Sequence, residues 1–115
     1  MFVEERMYTL HPGKVPEFLK LYQEEGLAIQ ASYLPAMAGY YSTEVGTLNM
    51  VVHMWAYEDL KQRAECRAKM WTDPGWQAYA KKVQALLVHQ ETRIMVPAPF
   101  FAAKLQAMLK AAKQA

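Results

Sequence analysis

The chain has 115 residues, 53% of them hydrophobic, with a formal net charge of +2 and one cysteine. This composition excludes intrinsic disorder, an internal disulfide and the strongly basic surface typical of nucleic-acid binding. No apolar run approaches the roughly 20 residues needed to span a bilayer, so we predict one domain in the reducing cytoplasm, with neither nucleic-acid nor membrane partners.

The first half of the chain predicts a strand, a helix and a second strand. Residues 2–10 alternate as a strand, and apolar residues then recur at helical spacing over 15–33, which predicts one amphipathic helix. Pro35 ends this helix, and residues 36–44 alternate well enough for another strand.

The second half repeats this order with a divided helix. After a predicted hairpin turn at Gly46-Thr47, residues 48–57 form a strand with one wholly apolar face and one mixed aromatic and polar face. Asp59 and Asp73-Pro74 are start signals for two helices, over 59–70 and 76–87. A last strand over 89–96 and an amphipathic helix over 100–112 complete the chain.

The element order is therefore βαββαβ, which predicts a ferredoxin-like α+β fold with a split second crossover and an added C-terminal helix. We assign residues 1–99 to this domain and residues 100–115 to a helix packed on the same domain or on a partner. Helices cover one sheet face only, and the economical cover for the other face is a second copy of the chain. We therefore predict a homodimer, as a dimeric α+β barrel.

Several short motifs together resemble the NIPSNAP family of the dimeric α+β barrel superfamily. They are Glu4-x-Arg6-x-Tyr8, Pro12-Gly13, Trp55-x-Tyr57, Arg63, Arg67, Asp73-Pro74-x-Trp76 and Pro97-x-Pro99-Phe100. The resemblance covers residues 3–100, and after it the chain departs from the family pattern Phe-Ser-Pro. It implies the fold and the dimer. It implies no reaction, although related barrels include monooxygenases and isomerases whose sites lie in a cleft between helices and sheet.

Two arginines are the leading candidates for ligand binding. Arg63 and Arg67 lie four residues apart, so they project from one face of a helix about one turn apart. Paired guanidinium groups suit a carboxylate or a phosphate. The alternative is that they form structural ion pairs with Glu4 or Glu65, and Glu4 with Arg6 can likewise form either the floor of a site or an ion pair.

An aromatic strand face supplies the remaining candidates. His53, Trp55 and Tyr57 share one face, and we expect them to line a cleft together with Tyr8. His53 or Tyr8 could handle a proton, although a lone histidine among aromatic residues is more often a core residue. No metal motif is present, no cofactor is predicted, and a haem ligand from His53 or His89 stays an open alternative.

Three functions agree with these observations. The first is binding of a small apolar, aromatic or anionic ligand in a cleft between sheet and helices. The second is an enzyme similar to cofactor-independent monooxygenases or isomerases, and the third is a non-catalytic dimeric interaction module. The ligand-binding and enzyme functions require a cavity with convergent polar groups, whereas the module requires that Glu4, Arg6, Arg63 and Arg67 neutralise one another and leave no cavity.

Overall fold

The computed structural model describes residues 1–114 and contains one four-stranded antiparallel sheet. Its strands are β1 (Phe2–Leu10), β2 (Ala36–Ser42), β3 (Met50–Tyr57) and β4 (Leu87–Met95), in the spatial order β2-β3-β1-β4. Both crossovers carry helices, so this strand order confirms the ferredoxin-like α+β fold.

The helices differ from the prediction chiefly in the first crossover. One continuous helix was expected over 15–33. The structure has α1 (Val15–Leu21), a π-helical segment (Tyr22–Gly26) and α2 (Leu27–Tyr33). The second crossover contains α3 (Leu60–Met70) and α4 (Pro74–Gln84), and α5 (Ala102–Gln114) follows β4. Apolar periodicity does not reveal the π-helical turn here, because the apolar stripe keeps its three- and four-residue spacing through Tyr22 and Gly26.

Several predicted boundaries were also displaced. The strand predicted from Leu48 begins at Met50, because Asn49 has a positive φ of 60° that extended backbone does not adopt. The helix predicted over 76–87 runs from Pro74 to Gln84, and β4 begins at Leu87 rather than at 89.

Side chains at the helix starts satisfy the free backbone N–H groups, as the sequence predicts. Asp59 Oδ1 accepts a hydrogen bond from the backbone N–H of Gln62 at 2.7 Å, and Gln62 Oε1 accepts from the N–H of Glu58 at 2.7 Å. Asp73 Oδ1 caps α4 by accepting from Gly75 N–H at 2.8 Å. These caps fix where α3 and α4 leave the sheet.

The two sheet faces are covered by different helices. The helices α1–α4 pack on the face that carries Trp55 and Tyr57, which are almost fully buried there. On the opposite face, Leu105 and Leu109 of α5 are buried against Ala36 and Ala56. The wholly apolar face of β3 is therefore the less buried one, because α5 covers only part of it. No helix within residues 1–114 is long and apolar enough to cross a membrane.

Candidate functional site

A buried carboxylate organises the charged residues beneath the helices. Glu4 is fully buried on β1 and accepts hydrogen bonds from Arg63 Nε and Nη2 of α3, both at 2.9 Å. It also accepts from Arg6 Nη1 at 3.0 Å and from Thr92 Oγ1 at 2.6 Å. The paired contact with Arg63 therefore ties α3 to the central strand.

The pKa of Glu4 shows that this network holds a charged group. Burial by itself raises the pKa, but the hydrogen bonds from Arg63 and Thr92, with the charge of Arg6, outweigh it and lower the pKa to about 2. The carboxylate is thus ionised at any physiological pH. Its charge and its oxygen atoms take part in contacts within the protein.

Arg67 stands apart from this network although it is one turn from Arg63. Within the described residues its guanidinium has neither a hydrogen bond nor an ion pair, and it lines a cavity between the sheet and α2–α4. Burial, followed by the charge of Arg6, lowers the pKa of Arg67. A half-buried cation without a partner is in an unfavourable environment that a bound anion would relieve.

The cavity has a volume of about 150 Å³ and walls that are largely aromatic. It is lined by Arg6, Tyr8, Tyr22, Gln30, Tyr40, His53, Arg67, Trp71, Trp76, Tyr79, Ala80, Val83, Gln84, Leu87 and Gln90. No acidic side chain occurs among these residues, so the walls carry only positive formal charge. An apolar cavity of about this volume can hold a molecule the size of benzene.

His53 lies in the aromatic wall and is nearly fully buried. Its ring stacks on Tyr40 with 4.7 Å between centroids and meets the edge of Tyr8 at 4.9 Å. Trp55 Nε1 donates a hydrogen bond to His53 Nδ1 at 2.9 Å. Burial, followed by the charge of Arg6, lowers the pKa of His53 to about 3, so the ring is neutral.

The π-helical segment shapes the opposite wall of the cavity. Tyr22 begins this segment, stacks on Tyr40 at 4.6 Å, and donates from its hydroxyl to Gln30 Oε1 at 2.6 Å. Gly26 ends it and lets Tyr79 approach closely, because a Cβ at this position would lie 2.8 Å from Tyr79 Cζ. The π-helical turn and the glycine together bring α4 against the first crossover.

The predicted site residues divide into three groups. Arg6, Tyr8, His53 and Arg67 line the cavity. Glu4, Arg63 and Trp55 contact these residues or each other and hold them in place. Tyr57 packs on Phe2 away from the cavity, and His89 is mostly exposed on β4.

Sequence reasoning missed most of the aromatic wall. Helical spacing marks Tyr22 and Trp76 only as apolar positions of their helices, and alternation assigns Tyr40 only to one side of a strand. Their joint position depends on how three elements pack, which helical and strand periodicity do not report. The nearest signal was the high share of tyrosine and tryptophan, at seven and three residues.

The comparisons with known proteins agree with this architecture. A family model described as NIPSNAP matches residues 3–102, which is most of the chain. The chain belongs to the NIPSNAP family. All the residues that line the cavity fall inside this NIPSNAP match, whereas all of α5 except Ala102 lies beyond it.

NIPSNAP relatives are similar in both sequence and structure. The chain is 35% identical over 94 residues to Protein NipSnap homolog 2 of Danio rerio, which covers 82% of this chain and 32% of that protein. It thus spans about one third of the length of the curated relatives it matches. A crystal structure of an uncharacterized NIPSNAP domain protein from Burkholderia xenovorans is 47% identical, with a TM-score of 0.83 and coverage of 87% and 97% of the two chains. A NIPSNAP family protein from Agrobacterium tumefaciens is 45% identical, with a TM-score of 0.84 and coverage of 86% and 94%.

A more distant similarity concerns the fold alone. An antibiotic biosynthesis monooxygenase is 16% identical with a TM-score of 0.58, covering 86% of this chain and all of that one.

Within residues 1–114, no three side chains of His, Cys, Asp or Glu come together in a way that could hold a metal ion. Burial raises the pKa of the half-buried Cys66 thiol, which disfavours a reactive thiolate.

Proposed function

We propose that this NIPSNAP protein binds a small organic carboxylate in the cavity between the sheet and α2–α4. Arg67 holds the carboxylate group, and the tyrosine and tryptophan side chains enclose the apolar part of the ligand. The observation that carries the proposal is the unpaired, half-buried guanidinium of Arg67 in a cavity without an acidic side chain.

The charge distribution supports an anion rather than a neutral ligand. Arg6, Arg63 and Arg67 together carry three positive charges near one buried carboxylate, Glu4, which hydrogen bonds to two of them. Arg63 is therefore a structural residue in this proposal, and Arg67 replaces the arginine pair as the anion site. The interaction-module alternative predicts that the four charges neutralise one another and that no cavity forms; against it, Arg67 has neither a hydrogen bond nor an ion pair within residues 1–114 and lines a cavity.

Thermal shift and calorimetry with benzoate, phenylacetate and benzyl alcohol test the proposal. We expect both carboxylates to raise the melting temperature and the alcohol to have no effect, because binding to the folded state stabilises it. Arg67→Gln should weaken carboxylate binding at least tenfold. Arg93→Gln is the matched control, since Arg93 pairs with Glu5 on the opposite sheet face and is 61% exposed.

Two results would contradict the proposal. One is equal affinity of the wild type and Arg67→Gln for both acids, which would mean that the anion binds outside this cavity. The other is the absence of any shift with all the acids, which would favour the interaction module instead.

We also propose a homodimer through the sheet face that α5 covers only in part. An apolar groove of about 240 Å³ runs between α5 and the strands there, and nearby Tyr41 is 61% exposed. Light scattering tests this: we expect a dimer at micromolar concentration and a monomer for Tyr41→Glu. Leu60→Glu is the control, because Leu60 is equally exposed on the helical side. A monomeric wild type would contradict the dimer.

We also propose that the protein is located in a reducing compartment such as the cytoplasm. Cys66 is the single cysteine of the chain and is unpaired, and proteins of oxidising compartments more often use disulfides.

A further inference from the structure

Within residues 1–114, two buried hydrogen-bond donors of the cavity residues have no partner. They are Nε2 of His53 and Nε1 of Trp76, and their side chains are 1% and 7% exposed. Buried donors in native proteins almost always have a hydrogen-bond partner, so each donor without one needs an explanation. Both residues line the cavity that we propose as the carboxylate site, and a ligand acceptor would provide the missing partner.

The hydrogen bond from Trp55 determines which nitrogen of His53 carries the proton. An indole N–H can only donate, so Nδ1 of His53 must accept this bond with its lone pair and cannot itself be protonated. In a neutral imidazole the single hydrogen then lies on Nε2. His53 is therefore a fixed donor with no free lone pair, which suits recognition of an acceptor and does not suit a general base.

The neighbours of His53 leave this donor without an alternative partner. Tyr40 covers one ring face and Tyr8 approaches with edge-to-face geometry, and the hydroxyl of Tyr8 is already bonded by Arg6 Nε at 3.3 Å. Both ring contacts favour the observed orientation, so turning the donor to a different acceptor would break both of them. Its position is set before any ligand arrives.

Resting on the proposed carboxylate site, we propose that the ligand is an oxo carboxylate, whose carbonyl oxygen accepts the hydrogen bond from His53 Nε2. Arg67 then recognises the charge and His53 recognises the second oxygen. A plain carboxylic acid of the same length would leave the N–H of His53 buried and unpaired. Selectivity between the two acids therefore comes from His53, because a site built to donate to an oxygen discriminates against the analogue that lacks it.

Affinities of matched acids test this selectivity. Pentanoate is compared with 2-oxopentanoate and 4-oxopentanoate, and phenylacetate with phenylglyoxylate, by calorimetry at pH 7. We expect at least one oxo acid to bind about tenfold more tightly than its parent acid. His53→Phe should reduce that preference to about onefold, whereas Arg67→Gln should weaken both acids and leave their ratio unchanged.

The unaltered protein gives a second measurement, because replacing buried His53 also perturbs the core. Nitrogen-15 NMR of the ring should show Nε2 protonated in the free protein, and its proton signal should move with the preferred oxo acid and not with the parent acid. Equal affinities within every pair, with no movement of this signal, would overturn the inference while leaving carboxylate binding intact. If no acid binds at all, the proposed function fails as well.

Discussion

Replacing Glu4 by glutamine removes the charge that holds α3 against β1, and the structure gives the size of the effect. The pKa of Glu4 is lowered from 4.5 to about 2 in the folded protein, and each pKa unit corresponds to ~1.4 kcal/mol. The network therefore contributes about 3 kcal/mol to the free energy of unfolding at neutral pH. Glu4 is fully buried, so solvent screening reduces this value little.

We expect Glu4→Gln to lose about 3 kcal/mol, which for a domain of this size lowers the melting temperature by roughly 10–15 °C. Urea unfolding followed by tryptophan fluorescence at pH 7 measures the change. Unfolding measurements at lower pH check the direction of this contribution to stability. Because the folded pKa is depressed, the stabilisation is present above pH 4.5 and is lost as the pH falls towards 2, and Glu4→Gln should not show this loss.

Glu5→Gln is a matched control on the next residue of the same strand. Its partner Arg93 is 61% exposed on the opposite face, and pairs of this kind contribute about 0–1 kcal/mol. Equal losses for Glu4→Gln and Glu5→Gln, or a loss below about 1 kcal/mol for Glu4→Gln, would refute the assignment of Glu4 as the organising charge.

Three further predictions concern the cavity wall, the histidine and a helix cap. Gly26→Ala should weaken carboxylate binding, because its Cβ would lie 2.8 Å from Tyr79 Cζ and displace that ring; calorimetry measures this, and unchanged affinity would contradict it. The folded pKa of His53, about 3, lies below the ordinary histidine value of 6.5, so this contribution to stability is full above pH 6.5 and falls on acidification. Urea unfolding should show a loss of about 2 kcal/mol from pH 6.5 to 5 that His53→Gln lacks; a parallel loss in the variant would refute it. Asp59→Ala should cost about 1 kcal/mol through loss of the bond to Gln62 N–H, and a stability equal to wild type would rule out the cap.

Much of the fold could be predicted because local rules determine it. Strand alternation over residues 2–10 places Glu4, Arg6 and Tyr8 on one face of β1, and the cap residues Asp59 and Asp73 correctly mark the starts of α3 and α4. The order of the elements then left few topologies, since right-handed crossovers and adjacent strands restrict the choice.

The site was less predictable because it depends on contacts between elements. Helical spacing places Arg63 and Arg67 on one face of α3, yet only the position of Glu4 on β1 decides that Arg63 is paired and Arg67 is not. Similarly, alternation assigns His53, Trp55 and Tyr57 to one face of β3, and only the packing of α1–α4 decides that this mixed face is more deeply buried than the apolar one. The hydrogen bond from Trp55 Nε1 to His53 Nδ1 pairs one polar group of each ring there, whereas His53 Nε2 stays unpaired within residues 1–114.

The hydrogen bond from Trp55 to His53 joins two alternate residues of one strand, so no helix takes part in it. The proton-bearing nitrogen is thus selected by a segment of three residues. A substitution in α1–α4 that enlarges the cavity or reshapes its mouth therefore leaves in place the hydrogen bond that selects this nitrogen.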